Sequence, residues 1–498
     1  MTLDKLTTMQ EITDVGNRWV QHRMYHAALE VFYLQLKQGR DNPAWQGDLL
    51  LEIGRIHVLL GQDATALYFF HQALESHLAP AVALKGAMLL ALVNLRLGNA
   101  DLAYRLMTEA YDRFGKDLMP WQAGVFYNNL ALIQYANGFS RQALQTQYQA
   151  ITLLHSVNNH QFDSQLYHTL GTFLMELGDL PVAKRSLRRA TATDPNESLS
   201  ALLDLGRLYI LTKSPLRATV IARRAADRVW SSVMEFTREE VARLCRMIAH
   251  LTSSVGDLPL ALQALEKSQL LFGQMGAWQE WQQTLHTQEV WTKQLDKSHP
   301  LETSLTTHEV HRFLMILDAI HAQQVVNPQF ARELDARALY AHMLACHIKL
   351  PTPTCVKIAV AARMADYGLT ALDPQTVTQP ERSSQAWQSY QQHPLLSLQL
   401  LASAGLSQEV QDLIANHHEW LDGSGYPLGK SGDDISVASQ VLAAAETYAQ
   451  AVVTQRQAHS RALRQVSDVS GRRFSNEIGL ALVTMFQGGC NNGEKNEC

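Results

Sequence analysis

Two adjacent histidines, His417 and His418, stand just ahead of Asp422, and the chain then passes through Gly423-Ser424-Gly425-Tyr426-Pro427. Imidazoles and carboxylates are the side chains that hold divalent ions, so this pattern reads as part of a metal site joined to a shaped loop. The glycines allow positive φ, and Pro427 stiffens the exit from the turn. Nothing comparable occurs in the first two-thirds of the chain. The histidines there, His57, His71, His168 and His250 among them, read as surface groups or as internally satisfied core residues.

The elements that must carry this site are helical. Before residue 290 the chain repeats itself. Gly61, Gly98, Gly138, Gly178, Lys213 and Gly256 serve as markers, spaced 35 to 43 residues apart. Alanine follows each marker at the fifth position: Ala66, Ala103, Ala143, Ala183, Ala218 and Ala261. A small residue precedes each by seven: Gly54, Ala91, Ala131, Gly171, Gly206 and Ala249. A weaker first copy centres on Arg23, with Gly16 and Ala28. Such spacing suits two antiparallel helices joined by a short turn, approaching closely where side chains are small. The marker glycine is expected to end the first helix in a left-handed conformation. The aromatics Trp19, Tyr68, Phe69, Tyr127 and Tyr209 either fill the core between repeats or line a groove.

At 498 residues the chain is too long for one ordinary core. The expected divisions are a repeat array over 1–295, a polar linker at 296–305, a second helical domain over 306–486 and a tail at 487–498. Apolar helical spacing resumes at Phe313-Leu314-Met315-Ile316-Leu317. The net charge of −5 gives no general pull toward nucleic acid or an anionic membrane. No apolar run reaches the ~18 residues a membrane span needs. Five singly placed cysteines and a polar start, Met1-Thr2-Leu3-Asp4-Lys5, suit a protein with reduced thiols in the cytoplasm.

The repeats resemble the tetratricopeptide repeat over roughly residues 8 to 290, which implies an α-solenoid whose groove takes protein partners. The 417–427 block, together with His393-Pro394 and the stretch Val441-Leu442-Ala443-Ala444-Ala445-Glu446, resembles the HD-GYP family. These are bacterial metal-dependent phosphodiesterases that hydrolyse cyclic di-GMP. Together the two resemblances imply an all-α chain, a tetratricopeptide-type α-solenoid followed by an HD-superfamily helical domain.

For the site, the HD-GYP resemblance implies that Asp366, His393, His417 and His418 gather around one ion. The family's other ligand positions fall on Leu334, Ala365 and Glu446, with Leu369 where a lysine is usual and Ala449 where an acid is usual. Hydrolysis with a pair of ions ~3.5–4 Å apart needs both sets. One divalent iron or manganese ion therefore remains within reach, and no residue is assigned a catalytic role. Gly425, Tyr426, Pro427 and Arg456 match positions near the nucleotide, where an arginine fork holds phosphate without cleaving it. The implied protein is a signalling or regulatory scaffold with an impaired HD-GYP domain. It would bind protein partners through the repeats, and cyclic di-GMP or a signalling domain through the Gly-Tyr-Pro loop. The alternative is an active or residual cyclic di-GMP phosphodiesterase.

Overall fold

The structure, a computed structural model, describes residues 9–38, 43–60, 62–75, 79–115, 118–193, 198–231, 238–254, 256–274, 277–293, 328–378 and 383–488. It is helical throughout, and among the described residues the one β feature is an isolated bridge between Ser470 and Phe474. The expected linker at 296–305 and the stretch Phe313–Leu317 lie outside the described residues. The helix Asn476–Gly488 takes in the first two residues of the expected tail, and the remainder is likewise not described. None of the described helices is long and apolar enough to cross a membrane. The chain divides into two compact units, Met1–Thr212 and Lys213–Cys498.

The first unit is the α-solenoid that the repeat offsets predict. Met9–Gln21 packs on Tyr25–Gln38, Pro43–Leu59 on Asp63–Leu74, and Pro80–Arg96 on Ala100–Phe114. Pro120–Ala136 with Ser140–Ser156 and Asp163–Glu176 with Leu180–Thr193 continue the series. Gly98, Gly138 and Gly178 adopt φ of +84°, +81° and +84°. At each, the residue after the glycine bonds back across the helix end: Asn99 N to Asn94 O, Phe139 N to Gln134 O and Asp179 N to Leu174 O, all at 2.9 Å. This is the Schellman closure, which satisfies carbonyls that a helix end would otherwise leave open. Arg23 takes the same turn at φ +60°, with Met24 N on Trp19 O at 2.8 Å, so the geometry survives loss of the glycine.

The small residues before the turn work differently from the expected small-on-small contact. Gly16, Gly54 and Gly171 each receive a large side chain from the second helix: Phe32, Phe70 and Leu187. The alanines after the turn are fully buried beside them. The aromatics divide between the two readings, since Trp19 and Tyr209 are buried whereas Tyr68 is 58% exposed. A Cβ on Gly171 would lie 2.6 Å from Leu187 Cγ and 3.2 Å from its backbone nitrogen. Gly171→Val should therefore destabilise the solenoid by about 1–3 kcal/mol in urea denaturation, because the backbone cannot retreat as a side chain would.

The second unit contains a further repeat-like pair, Arg238–Ser254 and Leu258–Gln274, turning at Gly256 with φ +87°. From Pro328 onward it builds a separate core. The helix Val437–Ala449 runs through its centre, buried from Ser439 to Ala449, and packs on Pro328–His347 and Thr352–Met364. Its Ala443-Ala444-Ala445 run presents little bulk, so its neighbours come close. Tyr340 meets Tyr448 edge-on at 4.8 Å, and the Tyr448 hydroxyl is bonded to His459 Nδ1 at 2.7 Å. Into this apolar core the helices send several ionisable groups, among them Glu333, Arg337 and Glu446.

Candidate metal centre

Asp366, His393, His417 and His418 converge, their ligand atoms all within 4.8 Å of one another. Three separate pieces of chain deliver them. Asp366 sits just past the end of Thr352–Met364, at the start of the turn Tyr367–Ala371. His393 opens the helix His393–Leu400, and His417 follows the end of Gln408–Asn416. Ser397 ties the first two together. Its hydroxyl donates to Ala365 O at 2.6 Å or to His393 O at 2.9 Å, and it accepts from Gly368 N at 2.7 Å. Gly368 must be glycine, because a Cβ there would stand 2.2 Å from His393 O.

The tautomers are fixed by the backbone. A carbonyl only accepts, so His393 Nδ1 donates to Tyr390 O and His417 Nδ1 to Ile414 O, both at 2.7 Å. In the neutral rings both Nε2 atoms then carry lone pairs. They face each other at 3.3 Å and face Asp366 Oδ1 at 3.1 and 3.5 Å. Three electron-rich atoms pointed inward repel unless a cation lies between them. His418 Nε2 is buried without a hydrogen-bond partner. Burial, followed by repulsion from His417 and His393 whenever those rings are protonated, holds the His418 imidazole well below its usual pKa. Three imidazoles, two of them oriented by backbone carbonyls, and one carboxylate fit a single divalent ion.

Arg337 is the functional residue that sequence reasoning missed. It is fully buried, and its Nη1 lies 2.6 Å from Asp366 Oδ2 and 3.1 Å from Glu446 Oε1. Its Nε donates to Ala362 O at 2.9 Å, and Nη2 donates to the same carbonyl. Arg473 holds the other Glu446 oxygen and reaches Thr447 Oγ1 at 2.9 Å. His418 Nδ1 stands 3.7 Å from that oxygen. Burial alone would raise the Asp366 pKa, but the Arg337 guanidinium opposes it, and the carboxyl is held well below the usual carboxylate range. The available signal was an arginine one helical turn beyond Leu334 and four residues after Glu333, on a helix that also buries Ala338, Ala341 and Leu344.

The loop after the histidines has its own supports. Glu419 is buried and accepts from Leu428 N at 2.6 Å and Lys430 N at 2.8 Å. Asp422 is not brought into the cluster: it accepts from Ser424 N at 3.0 Å and pairs with Arg472 at 3.2 Å. Gly425 packs so tightly that a Cβ would fall 2.3 Å from Trp420 N. Tyr426 lies over His418, ring centroids 4.7 Å apart, and Trp387 meets Tyr426 edge-on at 5.8 Å. Pro427 follows Tyr426 through a cis bond. Arg456 is exposed, just beyond the π-helical turn Gln450–Thr454. His342 contacts Cys346 and His347 contacts Thr484, so neither joins the cluster. In the solenoid, His155 and His160 both contact Asp163, at 2.8 and 3.2 Å, but Arg189 shares that carboxylate at 3.4 Å and already supplies a positive charge.

Residues 321–478 match the HD domain family, and this segment is an HD domain. The 3'3'-cGAMP-specific phosphodiesterase 3 of Vibrio cholerae is 25% identical over 150 residues, 30% of this chain and 31% of that protein. The 3'3'-cGAMP-specific phosphodiesterase 2 of the same organism is 31% identical over 114 residues, 22% of each. The chain thus spans less than a third of the length of these curated relatives. A solved tetratricopeptide repeat protein from Parabacteroides merdae is 15% identical, covering 58% of this chain and 97% of that one with a TM-score of 0.36.

Glu333 lies one turn before Arg337, buried and bonded to the Thr454 hydroxyl. Burial, only partly offset by Thr454 and Arg337, pushes its pKa from 4.5 to about 7. Between those values the folded protein holds a proton that the unfolded chain has released, so stability falls as pH rises through the window. The fall should total about 3 kcal/mol. Glu333→Gln should flatten the melting temperature between pH 5 and pH 7.5 and raise it at the upper end, as followed by thermal unfolding. Gly368→Ala should reduce Mn²⁺ affinity at least tenfold in calorimetric titration, since His393 must move to make room.

Proposed function

We propose that this chain is a signalling or regulatory scaffold whose HD domain holds one metal ion and recognises a cyclic dinucleotide without efficient cleavage. The observation that carries the reading is the imbalance of ligands. Asp366, His393, His417 and His418 make one convergent set, whereas Leu334, Ala365 and Leu369 are buried apolar side chains with nothing to donate. In this reading the four residues hold a divalent iron or manganese ion, which when bound supplies positive charge beside a phosphodiester. The chain's own residues do the rest: Arg337 and Arg473 fix the nearby carboxylate, and Tyr426 with Trp387 offers an aromatic wall for a base. Gly425 and Pro427 shape that wall, and Arg456 reaches toward phosphate.

The repeats would take a protein partner. A cavity of about 650 Å³ between the first two helix pairs supports this, lined by Arg23, Arg55, Asp48 and Glu52 among others. The expected division at 296–305 and an HD-GYP domain over 306–486 belong to the same reading, as does a cytoplasmic location, which Cys245, Cys346 and Cys355, outside any disulfide, suit. The four retained ligands also favour a second reading, a slow phosphodiesterase working from the single ion.

Purified protein loaded with Mn²⁺ should bind cyclic di-GMP or 3'3'-cGAMP in calorimetric titration, and His417→Ala should lose the metal. Hydrolysis followed by chromatography should not rise above that of the His417→Ala protein. Robust turnover abolished by that substitution would establish the second reading instead.

A further inference from the structure

Asp366 divides its two oxygens between two different surroundings. Oδ1 faces the imidazoles of His393 and His417, at 3.1 and 3.5 Å, while Oδ2 faces Arg337 Nη1 at 2.6 Å. That is how a carboxylate shared between two cations is arranged, with one oxygen turned toward each. On the far side of the guanidinium, Glu446 Oε1 completes the pair at 3.1 Å. Glu446 stands where the sequence resemblance expects a ligand of the second ion.

We propose that the Arg337 guanidinium is the resident second cation of this centre, occupying the ground between Asp366 and Glu446 and excluding a second metal ion. The inference rests on the one-metal reading above and names the group responsible for it. The alternative, that a second ion is missing only because Leu334 and Ala365 offer no ligand, leaves Arg337 a bystander. Geometry argues against that. Arg337 is fully buried, so its charge must be matched. It is matched by two carboxylates rather than one, with Nε and Nη2 both satisfied by Ala362 O. All three guanidinium nitrogens are thus engaged, Nη1 by the carboxylates and Nε and Nη2 by Ala362 O. It cannot turn to meet a phosphate, and with a pKa above ~12 it does not leave by deprotonation. A metal ion entering this space would have to displace a tethered cation.

Removing the guanidinium while keeping the carboxylates should therefore open a second site. The full-length protein, Arg337→Gln and Arg337→Lys are each saturated with Mn²⁺, desalted and measured for manganese per chain by plasma mass spectrometry. Electron paramagnetic resonance is recorded on the same samples. Arg337→Gln should bind one equivalent more than the wild type and show a spin-coupled manganese pair. Arg337→Lys, which keeps the charge, should match the wild type.

Equal counts for wild type and Arg337→Gln would overturn the proposal, as would a coupled pair in the wild type. A gain in Arg337→Lys equal to that in Arg337→Gln would overturn it too. The wild-type count by itself reports on the one-metal reading: zero there removes that reading, while the gain on removing Arg337 still decides this one. Should Arg337→Gln fail to fold, the wild-type spectrum at saturating Mn²⁺ decides, an isolated-ion signal supporting the proposal and a coupled signal overturning it.

Discussion

A guanidinium buried in an apolar core must find negative charge, and Arg337 finds it on two segments remote in sequence. Its contact with Glu446 spans 109 residues and joins the middle of one helix to the last turn of another packed on it. Its contact with Asp366 pins the turn that follows a third helix. Breaking a buried pair by removing one partner strands the other charge, at a typical cost of about 3–5 kcal/mol. The relative register of the three helices is therefore constrained by this one group as much as by apolar packing. The same contact turns Asp366 so that its free oxygen meets the histidines. Ser397 and Gly368 then fix the distance between that oxygen and His393.

The histidines themselves are set by the main chain. Both Nδ1 atoms are committed to carbonyls, so both rings present Nε2 inward whatever ion they meet. Such an arrangement is unfavourable when uncompensated, because lone pairs and a carboxylate oxygen are held together in a low-dielectric setting. That it persists in a fully buried place, with His418 Nε2 also unpartnered, is what distinguishes this cluster from the His155–His160–Asp163 group. In the latter each imidazole already has a hydrogen bond to the carboxylate and an arginine stands by.

Much of the fold was legible in the sequence because repetition amplifies weak signals. Offsets at minus seven and plus five from each marker located the helix pairs, and the turn kept its conformation even where arginine replaced glycine. The packing partner was not legible: the small residues at Gly54 and Gly171 accommodate Phe70 and Leu187, and a side chain's size says nothing by itself about what it faces. In the site, the four clustered residues could be named from the family resemblance. Arg337 could not, because its meaning depends on Asp366 and Glu446, and a lone arginine in a helix is ordinarily a surface group whose stem covers apolar neighbours. Asp422 misled for the opposite reason. It stands beside the histidines in sequence but turns outward to Ser424 and Arg472, while the buried Glu419 organises the loop.

Under the proposed reading, these supports are what would let recognition persist without cleavage. The loop from Trp420 to Lys430 is held by Glu419, by Tyr426 N on His418 O at 3.0 Å, and by Asp422 N on Arg472 O at 3.1 Å. None of these bonds involves Arg337 or the ground it occupies. The aromatic wall of Tyr426 and Trp387 stands on the same loop and on the helix Ser384–Gln391, again independent of that ground. A metal ion at the second position would be exchangeable and able to bind solvent; a guanidinium there is tethered, saturated by its neighbours and unable to do either. Exchanging one for the other keeps a cation between Asp366 and Glu446, with one positive charge in place of a divalent ion's two. What it withdraws is the chemistry that a second ion supplies, leaving a shaped, partly charged surface beside a single metal position.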